Sequence, residues 1–188
     1  MTQHEWWIGL ENWVLQDGNY TDFVTGERRH FALEFGYRRE RRLRKAHAAG
    51  PADARHTGHG TTYAVTAQVL RASAETMRDP YVVDFGLRAY SNWLTLDDGE
   101  AAAGDWVSGQ VHLAVDPFFY TETDAHLPDV PALTYSWTVL ELQLSTALGA
   151  WRTVDQTRPW AEHGDYRLRC RLESVDPLAP TAGASMTP

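Results

Sequence analysis

Three groups of side chains have types and spacings that could do chemistry. The first is Glu122-Thr123-Asp124-Ala125-His126. In an extended segment, alternate positions fall on one side, so two carboxylates and an imidazole would line up there. With Asp116 close by, they could hold a divalent metal or serve as acid and base, as in a metal-dependent hydrolase. Acidic residues at strand ends are also ordinary solvated loop residues. The second group is His56-Thr57-Gly58-His59, two imidazoles three apart in a Gly-containing loop with His47 near. Such a pair can take a transition metal. No carboxylate triad and no cysteine accompanies it, so it reads as an adventitious binder, and neither a metal nor a cofactor is expected. Asp97-Asp98-Gly99-Glu100 shares the composition of a calcium loop without its spacing and reads as a surface turn.

The third group is the run Tyr37-Arg38-Arg39-Glu40-Arg41-Arg42-Leu43-Arg44-Lys45. An arginine fork suits phosphate and carboxylate, because it donates two parallel hydrogen bonds. Beside aromatic strands, Arg38, Arg39, Arg41, Arg42 and Arg44 could form a single-strand nucleic-acid groove, with bases stacked on rings. The competing reading is a solvated loop whose arginines pair with the chain's own acidic surface. Formal charge supports the second: the chain carries −8. From Arg28 to Arg55, nine basic residues face three acidic ones, a local +6 against −14 for the remainder. No nucleic-acid-binding motif appears.

Tryptophan is abundant, with eight residues. Most are expected in a core. Trp7 lies on the phase opposite Trp6, so one of the two should face outward. Trp151 and Trp160 fall in a long loop, where binding residues concentrate. An exposed indole can stack on a sugar, a base or a partner's apolar patch. Trp7, Trp151 and Trp160 are therefore the candidate binding tryptophans. Nucleophiles are unconvincing: there is no G-x-S-x-G elbow. Cys170, the single cysteine, sits on the inward phase of a strand and should be a buried thiol. No Gly-rich phosphate loop is present.

These groups must be positioned by strands, since period-two alternation dominates. Phe31, Leu33, Phe35 and Tyr37 share a face, as do Val107, Val111, Leu113 and Val115, and Tyr166, Leu168, Cys170 and Leu172. A single strand is expected from Tyr81 to Ala89, and a first strand from Trp6 to about Leu15. From Tyr135 to Leu144 the apolar phase slips, which a bulge near Val139 or burial on both faces would explain. Tyr63 to Met77 is ambiguous, since Val65, Val69, Ser73 and Met77 also repeat at helical spacing; a strand to about Ala72, then a loop or short turn closed by Asp79-Pro80, is the favoured reading. Asp17-Gly18-Asn19 reads as a hairpin turn. A weak similarity at a shift of 80 residues, with Asn12-Trp13 on Asn92-Trp93, hints at duplication.

The expected fold is all-β: an antiparallel β-sandwich or two small barrel-like halves, with few or no long helices. Residues 1–175 would form one domain, with halves 1–80 and 81–175 if the duplication holds, and 176–188 a disordered tail. No membrane span and no signal peptide are read, which implies a soluble protein of the bacterial cytoplasm. The expected function is a non-catalytic binding protein whose acidic, Trp-bearing β surface docks or neutralises a basic protein partner. The alternatives are nucleic-acid binding through the Arg-rich run and an enzyme built on the 116–126 cluster.

Overall fold

A computed structural model describes residues 5–37, 43–46, 50–72, 80–92, 96, 101–147 and 149–178. The described elements are β1 (Glu5–Leu10), α1 (Asn12–Gln16), β2 (Arg28–Gly36), β3 (Arg44–Lys45), β4 (Asp53–His56), β5 (Thr62–Arg71) and β6 (Tyr81–Asp84). They continue with β7 (Arg88–Ser91), β8 (Trp106–Val115), α2 (Phe119–Glu122), a 3₁₀ turn (Asp124–His126), β9 (Thr134–Ser145), β10 (Trp151–Val154) and β11 (Tyr166–Leu172). The protein is all-β, as the alternation required. No described helix is long and apolar enough to cross a membrane.

Two expected strands are corrected. The first stops at Leu10, and Asn12–Gln16 coils into a helical turn. Val14 and Leu15 are adjacent and both buried, which one face of a strand cannot achieve but the inner side of a helical turn can. The expected Tyr81–Ala89 strand is a hairpin, β6 and β7, folded at Gly86. That glycine holds φ +99°, a left-handed value costly for side-chain-bearing residues. Asp84 Oδ1 accepts its N–H at 2.8 Å. Alternation survived the turn because Phe85 and Leu87, either side of Gly86, both point into the core. The bulge in β9 is real: Arg169 pairs Glu141 and Cys170 pairs Val139, which leaves Leu140 as the extra residue. The Asp97–Gly99 turn lies outside the described residues.

Strand pairing closes a barrel of eight strands in the order β1-β11-β9-β2-β7-β6-β5-β8. Closure leaves no open edge on the ring itself. β3, β4 and β10 attach outside this ring. A further ladder crosses the ring: Leu33–Gly36 of β2 pairs His112–Val115 of β8. It divides the ring into two five-strand circuits that share β2 and β8, and each circuit draws on residues either side of position 80.

The inward faces merge into one core containing Trp6, Ile8, Phe31, Leu33, Phe35, Tyr63, Leu113, Trp137, Leu168 and Cys170. Trp137 is wholly buried. Its ring stacks on Phe31 at 5.5 Å, and its indole N–H donates to the Phe31 carbonyl at 3.3 Å. A smaller cluster forms outside the barrel, where Ala32, Val82 and Tyr90 are covered by Tyr120 and Leu133 of the 117–133 excursion.

Cys170 is fully buried, and burial pushes its thiol well above the ordinary range. The native protein should therefore be inert to a thiol reagent at pH 8 and titrate one thiol per chain once urea unfolds it. Rapid labelling of the native protein would contradict this packing.

Candidate functional site

The outward faces of four neighbouring strands build the site. β11 presents Arg167, Arg169 and Arg171, and β9 presents Glu141 and Gln143. β1 presents Glu5, Trp7 and Gly9, and Trp151 stands on β10 opposite Ser145. Register makes Gly9 face Arg167, so the place beside Arg167 holds no side chain. Two arginines of the row are paired with carboxylates. Arg169 bonds Glu5 and Glu141, each at 3.1 Å, and Arg171 bonds Glu173 at 3.3 Å.

Arg167 is held differently. Its guanidinium carbon lies 4.8 Å from the Trp7 ring and 4.5 Å from the Trp151 ring. The two indoles come from strands on opposite sides of β11. Its Nε donates to Gln143 Oε1 at 2.7 Å. Gln143 is oriented in turn by donating to Glu141 Oε1 at 2.6 Å. Burial lowers the affinity of the guanidinium for its proton, and Glu141 opposes that shift.

Arg167 and Trp151 line a groove of about 410 Å³ with Gly9, Glu11, His59, His112 and Asp165. Its floor follows from small residues, since β1 and β8 share the single parallel bridge Gly9–Ala114. A Cβ added to Gly9 would meet only ordinary contacts, the nearest being the Leu113 carbonyl at 3.4 Å. Packing therefore does not demand glycine here, and a larger side chain would fill the groove.

The rim is tied down by α1. Asp165 Oδ1 accepts the Asn12 N–H at 3.0 Å. Asn12 Nδ2 and Gln16 Nε2 both donate to the Pro159 carbonyl, at 3.2 and 2.9 Å. Trp13 donates its indole N–H to Glu11. Three indoles are left outside on these segments: Trp13 is 41% exposed, Trp151 40% and Trp160 77%. A larger hollow of about 570 Å³ at the other end of the barrel is lined by Trp6, Phe85, Leu87, Leu172 and Val175. Its carboxylate, Asp53, lies 3.5 Å from Arg55.

The 116–126 residues do not converge. The segment is not extended but coiled into α2 and the 3₁₀ turn. Asp116 and Asp124 are buried, while Glu122 and His126 point to solvent. Asp116 is instead a structural anchor. Its carboxylate accepts the Tyr90 hydroxyl at 2.5 Å, the Thr121 hydroxyl at 2.9 Å and the N–H groups of Tyr120 and Thr121 at 3.2 and 3.3 Å. Burial raises its pKa, and those donors hold the rise back.

His56 is occupied by the Gly60 carbonyl at 3.0 Å and the Tyr63 ring at 5.1 Å, and His59 is exposed. Among the described residues no group of three or more His, Cys, Asp or Glu side chains is arranged to hold a metal ion. Arg38, Arg39, Arg41 and Arg42 lie outside the described residues. Arg44 is exposed on β3, and the adjacent Lys45 pairs with Asp105 at 3.3 Å.

The residue missed from the sequence is Arg167. Its alternation marked it as outward, but nothing local marked it as sandwiched. Comparison with known proteins leaves this geometry to speak for itself: no family model matches the chain, and neither a curated protein nor a solved structure does.

Glu34 sits in the same outer row, beside Ala114 of β8 and Tyr90 of β7. Desolvation first, then the charges of Asp116 and Glu11, raise its pKa to about 7. The folded state therefore binds a proton that the unfolded state has lost, so stability from this group is present below about pH 4.5 and is lost as pH rises through 7. Glu34→Gln should be more stable than the native chain at pH 8, by roughly 2 kcal/mol in urea melts, with the gain shrinking toward pH 5. Equal gains at both pH values would refute the assignment. Asp116→Ala should cost about 2–4 kcal/mol, because it strands four donors. The loss should appear as faster amide exchange across 117–133.

Proposed function

We propose that the chain is a non-catalytic binding protein that engages a protein partner through the Trp-bearing end of the barrel. The observation that carries this reading is the exposure of Trp151, which lines the groove, together with that of Trp13 and Trp160, whose segments are hydrogen-bonded to each other through Asn12, Gln16 and the Pro159 carbonyl. Tryptophan is enriched where partners bind tightly, since an indole offers large contact area at little entropic cost. The rim is built from segments joined by hydrogen bonds, which favours a surface already shaped before the partner arrives.

Charge supports a basic or neutral partner. The chain carries −8, and carboxylates at Glu11 and Asp165 flank the indoles. Opposite net charge speeds encounter and excludes wrong partners. The separation of the acid–base candidates, with Asp116 committed to Tyr90 and Thr121, takes away the support for the enzyme built on the 116–126 cluster.

The test places a photo-crosslinking residue at position 160 in the cells that make the protein, with a second at position 175 as the far-end control. A protein captured from 160 and not from 175 is then purified and titrated. Its affinity should fall at least tenfold on Trp160→Ala or Trp151→Ala, with unchanged thermal unfolding. A single-stranded oligonucleotide should not bind even at low salt. Equal capture from both ends, or unaltered affinity in both variants, would remove the reading.

A further inference from the structure

We propose that the Trp7–Arg167–Trp151 stack is a carboxylate receptor: the end of the Arg167 guanidinium takes a carboxylate of the partner in the groove as a two-bond pair. The proposal rests on the binding surface described above and names the group it recognises.

Four observations carry it. First, Arg167 uses Nε for Gln143, and among the described residues no carboxylate pairs with it and neither Nη has a protein acceptor. Its neighbours Arg169 and Arg171 take the local carboxylates. A half-buried guanidinium with open donors is worse off than a paired one, so it gains most from an incoming anion. Second, indoles lie against it from strands on either side of β11, and Gln143, itself held by Glu141, fixes its orientation. The fork is therefore oriented before any ligand arrives, which lowers the entropy lost on binding.

Third, Gly9 opposite Arg167 leaves that side open to the groove. His59, exposed at the edge of the same groove, offers an imidazole that can donate a hydrogen bond to an oxyanion. Fourth, Glu11 and Asp165 also line it. Their charge penalises a doubly charged phosphate more than a singly charged carboxylate. A planar carboxylate also matches the planar fork.

The test uses the full chain and sodium acetate against sodium chloride at constant ionic strength and pH 7, read by the indole N–H signals of Trp7 and Trp151. Acetate should produce a saturable shift of both signals, and inorganic phosphate a weaker one. Arg167→Lys keeps the charge and loses the fork, so affinity should drop at least fivefold. Gly9→Val, which fills the groove, should abolish the shift. Peptides with a free or an amidated C-terminus, with and without one glutamate, separate a chain-end carboxylate from a side-chain one.

A linear, non-saturating response to acetate, or an undiminished one in Arg167→Lys, overturns the proposal and leaves Arg167 a purely structural stack. The two readings fail separately. Partner affinity lost in Trp160→Ala but kept in Arg167→Lys sinks only the receptor. Acetate binding with partner affinity unchanged in Trp151→Ala and Trp160→Ala sinks only the binding surface.

Discussion

The ladder between Leu33–Gly36 and His112–Val115 is the contact on which the other parts depend. On its inner side it brings Leu33, Phe35, Leu113 and Val115 into the shared core. On its outer side it sets Glu34 beside Ala114, with Gly9 next in the row. Just beyond its end it delivers Asp116 under the 117–133 excursion. A slip of one residue would exchange the faces, moving Glu34 into the core and Leu33 into water. Burial of the inner face against a half-exposed polar outer one therefore holds the register, and the groove and the buried acid inherit it.

Asp116 shows how a group that looks catalytic can be spent on packing. A carboxylate that is fully buried is stable only when its lone pairs are satisfied. Here two hydroxyls and two backbone N–H groups do so. In return the excursion is fastened to the barrel, where Tyr120 and Leu133 cover Ala32, Val82 and Tyr90. Glu34 bears the electrostatic consequence, held partly protonated near neutrality by its lost hydration and by Asp116.

The arginines of β11 illustrate a different division of labour. Exposed ion pairs contribute little stability each, yet among the described residues of this row they decide which arginine has no carboxylate partner. Glu5, Glu141 and Glu173 are taken by Arg169 and Arg171, and Glu173 also lies 3.7 Å from Arg28. Arg167 is left with an amide and two indoles. Its setting is thus a product of neighbouring pairs as much as of its own contacts.

Alternation alone located β2, β5, β8, β9 and β11, because half-buried strands write their burial into every second residue. It also marked the phase slip in β9, which the pairing with β11 resolves as a bulge. It failed at Val14-Leu15 and at Gly86, where a helical turn and a hairpin bury residues at spacings that imitate a strand. The short strands β3, β4 and β10 carry too few residues to register a period. By itself the sequence determined that the protein is all-β, that Cys170 faces inward, and that one of the adjacent Trp6 and Trp7 faces outward. Tertiary structure alone decided that the strands close into a ring crossed by β2 and β8. It alone decided that Glu122 and His126 turn away from Asp116 and Asp124, and that Trp7 and Trp151 meet across Arg167. The reason is physical: alternation reports which face a residue takes, whereas register and closure are set by pairings between segments more than a hundred residues apart.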